Sequence, residues 1–129
     1  MTPLHAACLS GNKQIVKLLL DSGAIHDVSD NNGYMPLHYA VVKDHDNVVE
    51  FLNDYRDGTQ NIYVLDEKKY SCNGFKIMSL AILNGSYRCI KKFVYLGASC
   101  NEKDLYDYTC LHTAAISGHV NIFLYFLSK

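Results

Sequence analysis

TPLHAACLSG, residues 2–11, returns three more times along the chain: as MPLHYAVVKD from Met35, KIMSLAILNG from Lys76 and TCLHTAAISG from Thr109. The starts are 33, 41 and 33 residues apart. Self-similarity at such a period marks a stacked repeat, and every other reading of the chain has to be made inside that frame. The residues have a local sense. Thr2 and Thr109 are N-cap residues, and Pro3 and Pro36 suit a first helical position, where no amide hydrogen is needed. Small residues follow (Ala6, Ala7, Ala40, Ala81, Ala114, Ala115), so that a neighbouring helix approaches closely. Gly11, Gly85 and Gly118 then stop the helix, and Asp44 holds that place in the second unit as a weaker but tolerable choice. A second apolar run follows each stop: IVKLLL (15–20), VVEFL (48–52), CIKKFVYL (89–96) and VNIFLYFL (120–127). Each unit therefore reads as helix, tight turn, helix.

The motif T-P-L-H-x-A-A-x-x-G, a second helix ending in LLLDSGA (18–24) and the return through DNNGYMPLH (30–38) resemble the ankyrin repeat. The resemblance covers nearly the whole chain in four units, about 1–33, 34–73, 74–107 and 108–129. It implies an all-α solenoid of helix-turn-helix pairs with β-hairpin-like loops, and a function in binding a partner polypeptide. The chain lacks the hairpin arm before its first capping threonine, so it is expected to be a piece of a longer array. Fold alone names no partner.

Helices are expected near 3–10 and 13–21, 36–43 and 46–54, 77–84 and 87–96, with the last pair running to the C-terminus. The loop 25–35 reads as a hairpin with Asn32-Gly33 at its tip, a dipeptide suited to positive φ. The join to the third unit carries eight extra residues. Three fall around Asp57-Gly58-Thr59, and five fall in the tip DEKKYSCNG (66–74), which is expected to project further than its neighbours. That tip reads either as a tolerated surface insertion or as a contact finger whose deletion leaves stability nearly intact. Ser79 replaces the repeated histidine in the third unit, and Asp107 stands where the last hairpin expects glycine.

Composition bounds the function. A net charge of −1, with Arg56 and Arg88 the only arginines among 12 basic residues, leaves no footprint for nucleic acid. No apolar run reaches the roughly 18–20 residues that membrane insertion needs, and no secretory leader pattern opens the chain. Five cysteines (8, 72, 89, 100 and 110) make an odd number without a CxxC pair. Cys8 and Cys89 read as small buried apolar residues, and no bridge is expected between Cys100 and Cys110. A reducing cytoplasm or nucleus is the expected setting.

His5, His38 and His112 recur at one repeat position and so do not converge on a metal; by the resemblance, each ties its turn to the next loop. Val28 occupies the first ligand position of the calcium-loop-like stretch 28–33, which rules that reading out. No nucleophile elbow, phosphate-binding glycine loop or paired catalytic acid and base is present. The chain is read as non-enzymatic, with no cofactor and no metal.

The resemblance places partner contacts at the ends of the first helices and at the loop tips. The helix positions are Leu9 and Ser10, Val42 and Lys43, Leu83 and Asn84, and Ile116 and Ser117. The tip positions are Asn32 and Tyr34, Asn73 and Phe75, and Tyr106 and Tyr108, with Lys69, Tyr70 and Leu105 beside them. The expectation is an apolar, tyrosine-lined groove for a protein or peptide; the other reading is that the aliphatic row packs partly under the loops. An intramolecular regulatory or adaptor segment of a larger protein (channel, kinase or ubiquitin-ligase adaptor) is the alternative function. The last helix, 120–127, carries Leu124 where Lys17, Glu50 and Lys91 stand in the earlier units, so self-association through it is also expected if nothing covers it.

Overall fold

Thr2 begins the first helix of the computed structural model, which describes residues 1–57, 60–61, 64–71, 76–100, 103 and 107–128. The helix α1 (Pro3–Ser10) is closed at its start by a reciprocal pair: the His5 amide donates to Thr2 Oγ1, and the Thr2 amide donates to His5 Nδ1. It stops at Gly11, whose φ of 78° is left-handed. Asn12 caps α2 (Lys13–Asp21) by accepting from the Ile15 amide. The same helix pair returns as α3 (Pro36–Val42) with α4 (Asp46–Asp54), as α6 (Ile77–Leu83) with α7 (Tyr87–Tyr95), and as α8 (Cys110–Ser117) with α9 (Val120–Leu127).

The first helices pack side by side in the order α1, α3, α6, α8, and α2, α4 and α7 form the layer behind them. One continuous apolar core runs through both layers, from Leu4, Cys8 and Leu20 through Val48, Ile82 and Phe93 to Ile122 and Phe126. The small residues explain the close approach. Ala7, Ala40, Ala81 and Ala114 are all buried.

Eight extra residues separate units two and three, three before Tyr70 and five after it, the division expected from the sequence. Two short strands, β1 (Arg56–Asp57) and β2 (Gln60–Asn61), form an antiparallel pair with Arg56 opposite Asn61. It is the one strand pair among the described residues, so the all-α class stands. Further on, the first part of the expected tip is a short helix, α5 (Glu67–Tyr70), with Tyr70 in the core at 1% exposure. The His38 imidazole donates through Nε2 to the Tyr70 carbonyl at 2.7 Å, as His5 donates to the Tyr34 carbonyl at 2.9 Å. Tyr70, not Phe75, therefore holds the place of Tyr34 in the third unit. The five extra residues lie between Tyr70 and α6, and 72–75 fall outside the described residues.

The loop 24–35 carries a correction too. Gly33 alone takes a positive φ (83°), whereas Asn32 does not. The Gly33 amide donates to the Asp30 carbonyl and the Asp30 amide to the Tyr34 carbonyl. This is a type I turn with glycine at the bulge position.

His38 makes a prediction about pH. Its Nδ1 accepts from the Met35 amide and its Nε2 donates to Tyr70, so the buried ring is held neutral, and burial pushes its pKa below the ordinary value. Burial acts in the same direction on His26. An unfolded histidine takes up its proton near pH 6.5 and the folded one resists, so the unfolded chain binds more protons below that point. Stability should be undiminished above about pH 6.5 and fall as pH drops towards the folded values, by up to about 1.4 kcal/mol per pH unit for each histidine. Urea unfolding between about pH 7.5 and about pH 5 checks this, and His38→Gln should flatten the slope. Asp27, Asp30 and Glu50 have lowered pKa values and titrate below this window.

Candidate functional site

Asp30 builds the second unit's loop tip. Its Oδ1 accepts from the amides of Asn32 (2.9 Å) and Tyr34 (3.0 Å), and its Oδ2 accepts from the Tyr39 hydroxyl. The Tyr39 hydrogen bond, the largest cause, holds the Asp30 carboxyl below the usual carboxylate range, while the Tyr39 hydroxyl is pushed up. Tyr39 thereby fixes the loop to α3. Its ring lies 5.5 Å from that of Tyr34 and 5.8 Å, edge-on, from His5, and Tyr34 in turn meets His38 at 6.0 Å. The result is a cluster of four rings on the loop side of the first-helix layer. The sequence reading named Tyr34 and missed Asp30 and Tyr39. The signal was in the chain, since aspartate two residues before an exposed asparagine is an Asx-turn arrangement.

The aliphatic row splits. Leu9, Val42 and Leu83 are half-buried, with Val42 packed against the core, while Ile116 stands 61% exposed. Beside them Lys43 is exposed, and the side chains of Ser10, Asn84 and Ser117 turn back onto carbonyls of their own helices. Only the rims of most of this row face solvent, so the partly packed alternative describes it better than an open groove.

At the tips, Asn32 is exposed and Tyr34 half-buried. Tyr108 stacks on His112 at 5.9 Å with its edge in solvent. Lys69 is half-exposed and pairs with Asp27 at 3.2 Å. Tyr70 is withdrawn as a contact residue: it is sealed in the core, its hydroxyl 3.3 Å from His26 Nδ1. Asn73, Phe75, Leu105 and Tyr106 lie outside the described residues.

The junctions between units hold a second feature that the sequence reading missed. A Cβ added at Gly11 would stand 2.6 Å from the His45 ring, and one at Gly85 would stand 2.9 Å from the His119 ring. His45 Nε2 donates across the junction to the Leu9 carbonyl at 3.0 Å. Between units two and three the same place is built otherwise. Asp44 sits left-handed at φ 60°, and its carboxylate accepts from the Cys89 amide at 2.8 Å and from Arg88. The small Ser86 replaces the imidazole there and donates to the Val41 carbonyl. Glycine thus lies under histidine, and aspartate under serine.

Among the described residues no three metal-binding side chains gather, and no helix is long and apolar enough to cross a membrane. Cys8, Cys89, Cys100 and Cys110 carry reduced thiols. Burial pushes the Cys8 thiol up to about 12, which removes it from nucleophilic chemistry at neutral pH.

Comparison with known proteins adds to this geometry. Residues 1–66 match the family model for ankyrin repeats in three copies, and residues 77–127 match that for ankyrin repeats in many copies. The break between the two matches falls on the segment around Tyr70. NF-kappa-B inhibitor alpha of Sus scrofa is 32% identical over 104 residues, 80% of this chain and 32% of that protein. A putative ankyrin repeat protein of Fowlpox virus (strain NVSL) is 30% identical over 131 residues, 92% of this chain and 89% of the viral protein. Ankyrin repeat and SOCS box protein 3 of Homo sapiens is 30% identical over 105 residues, 81% of this chain and 19% of that protein. The chain spans most of the viral relative's length but a third or less of the other two.

Proposed function

The chain is a member of the ankyrin repeat family, a protein-interaction fold, and on that premise we propose that it grips a partner polypeptide against its loop tips and the adjoining ends of its first helices. The observation that carries this reading is the pair of half-exposed rings Tyr34 and Tyr39, backed by the buried His5 and His38 and pinned by Asp30. Rigid aromatic side chains held at a loop lose little entropy on binding, which makes them favoured anchors. Leu9, Leu83, Ile116 and Tyr108 extend the apolar surface away from it, and the exposed Lys43 sits at its edge. The binding is non-catalytic. Reduced cysteines, with Cys8, Cys89 and Cys110 buried, fit a reducing compartment, the cytoplasm or nucleus, as the place of action.

The test is partner capture by cross-linking, followed by direct titration of the purified partner. Tyr34→Ala and Ile116→Glu should each cost about 1–3 kcal/mol of affinity. Tyr95→Ala, on the exposed side of α7, should cost nothing, and added salt should weaken binding little. Loss of binding with Tyr95→Ala and none with the loop-side variants would refute the reading.

A further inference from the structure

We propose that a second copy of this chain stacks head-to-tail on the first, the α8–α9 end of one copy seating on the α1–α2 end of the next. The contact uses the ends of the stack and leaves the loop side free, so it stands or falls apart from the partner binding above.

The two ends are continuations of the junctions already inside the molecule. Val48, Cys89 and Ile122 hold one position of the second helices, where each is buried at 3% exposure or less, Cys89 against Ala40 of the preceding unit; Ile15 holds that position in the first unit and is 45% exposed. At the other end, Leu127 takes the place of the sealed Leu20, and Leu111 that of Leu4, yet both are open. One end therefore presents the face that unit one turns to unit two. The opposite end presents the face that unit two turns back.

The ends also match each other at the level of single residues. Across the junction of units two and three, Lys92 Nζ meets Glu50 Oε2 at 2.8 Å. Counted along the helices, the place of Glu50 is held by Leu124 in the last unit, and the place of Lys92 by Leu18 in the first. These leucines are 54% and 65% exposed. A head-to-tail contact brings leucine to leucine where the internal junction brings acid to base. Apolar side chains at both charged places are otherwise a standing cost in water. Gly118 completes the match. Gly11 and Gly85 each lie under an imidazole, whereas nothing among the described residues comes within 4 Å of a Cβ placed at Gly118. Asn12 opens α2 at the position where His45 opens α4 and His119 opens α9, so a second copy would lay Asn12 over that vacant glycine.

The two faces differ, so the contact is heterologous and leads to open chains rather than a closed dimer. Sedimentation velocity of the full chain over a wide concentration range should show a mean mass that climbs without a plateau at twice the monomer. Leu18→Glu and Leu124→Glu should each reduce the protein to the monomer mass at every concentration. Mixed in equal amounts, they should form a species of twice the monomer mass and nothing larger, because each variant keeps the face the other has lost. Both side chains are largely exposed, so the folded state should survive, and circular dichroism checks that it does. A wild-type chain that stays monomeric throughout overturns the proposal. So does a single variant that still associates by itself, which would mean like faces pairing, or a mixture that stays monomeric.

Discussion

Replacing Tyr70 by alanine should lower the unfolding free energy by about 3–5 kcal/mol, the range for deleting a buried aromatic ring. The residue is a tyrosine in a long loop just before five extra residues, where a surface change of no consequence would ordinarily be expected. The structure puts its ring in the core at 1% exposure and hangs the loop on its backbone through the His38 imidazole. Burial pushes its hydroxyl pKa up, and that hydroxyl is 3.3 Å from His26. Tyr70→Phe, which keeps the ring and removes the oxygen, should cost only about 1 kcal/mol. Deleting Glu67 to Ser71 should destabilise at least as much as Tyr70→Ala. A projecting finger would have come off without loss. Chemical denaturation of the three variants decides it, and an unchanged midpoint for Tyr70→Ala would mean that α5 does not pack.

The second large effect is expected at Gly11. Gly11→Asp should destabilise by about 2–5 kcal/mol, from left-handed strain and from collision with a buried-side imidazole. A Cβ there would be 2.6 Å from His45, and φ is 78°. The molecule itself contains the remedy. Asp44 occupies the equivalent place at φ 60°, beneath Ser86 rather than histidine, and caps α7 through the Cys89 amide. Adding His45→Ser to Gly11→Asp should therefore restore much of the loss, since the new carboxylate gains room and the amide of Val48 to accept from. A double-mutant cycle measures this as a coupling energy, expected at about 1–3 kcal/mol. Strict additivity of the two changes would show that the glycine–histidine and aspartate–serine pairs are unrelated.

The helices were legible because their signals are local and repeated. A capping threonine or proline opens three of the four units, alanines at helical spacing follow in all four, and glycine stops three of them, so the observed helix ends fall within a residue of those expected. The place of Tyr70 was not legible. Matching FKIM (75–78) to YMPL (34–37) by side-chain type sets Phe75 against Tyr34, but the structure fixes the register through a backbone carbonyl, which any residue supplies. The Asp44–Ser86 junction was hidden for a related reason. Asp44 is a poor stop for its own helix, and its worth appears only at Cys89, 45 residues later. At the candidate site, the exposed aromatic tips were readable as a class, whereas the half-burial of Leu9, Val42 and Leu83 depends on how closely the loops lie over them.

Repeat arrays are commonly thought to lengthen by copying a unit in tandem. The matched junctions restrict where that can happen in this chain. A tandem copy of unit two would seat His45 over Asp44, an imidazole in the space that Ser86 fits. A copy of unit three would seat Ser86 over Gly85, leaving a gap where the His119 ring now lies. Copying units two and three together keeps every internal pairing and leaves only the new seam, His45 over Gly85, which repeats the glycine–histidine match. Two units, not one, are the length by which this middle of the array can grow without a second substitution.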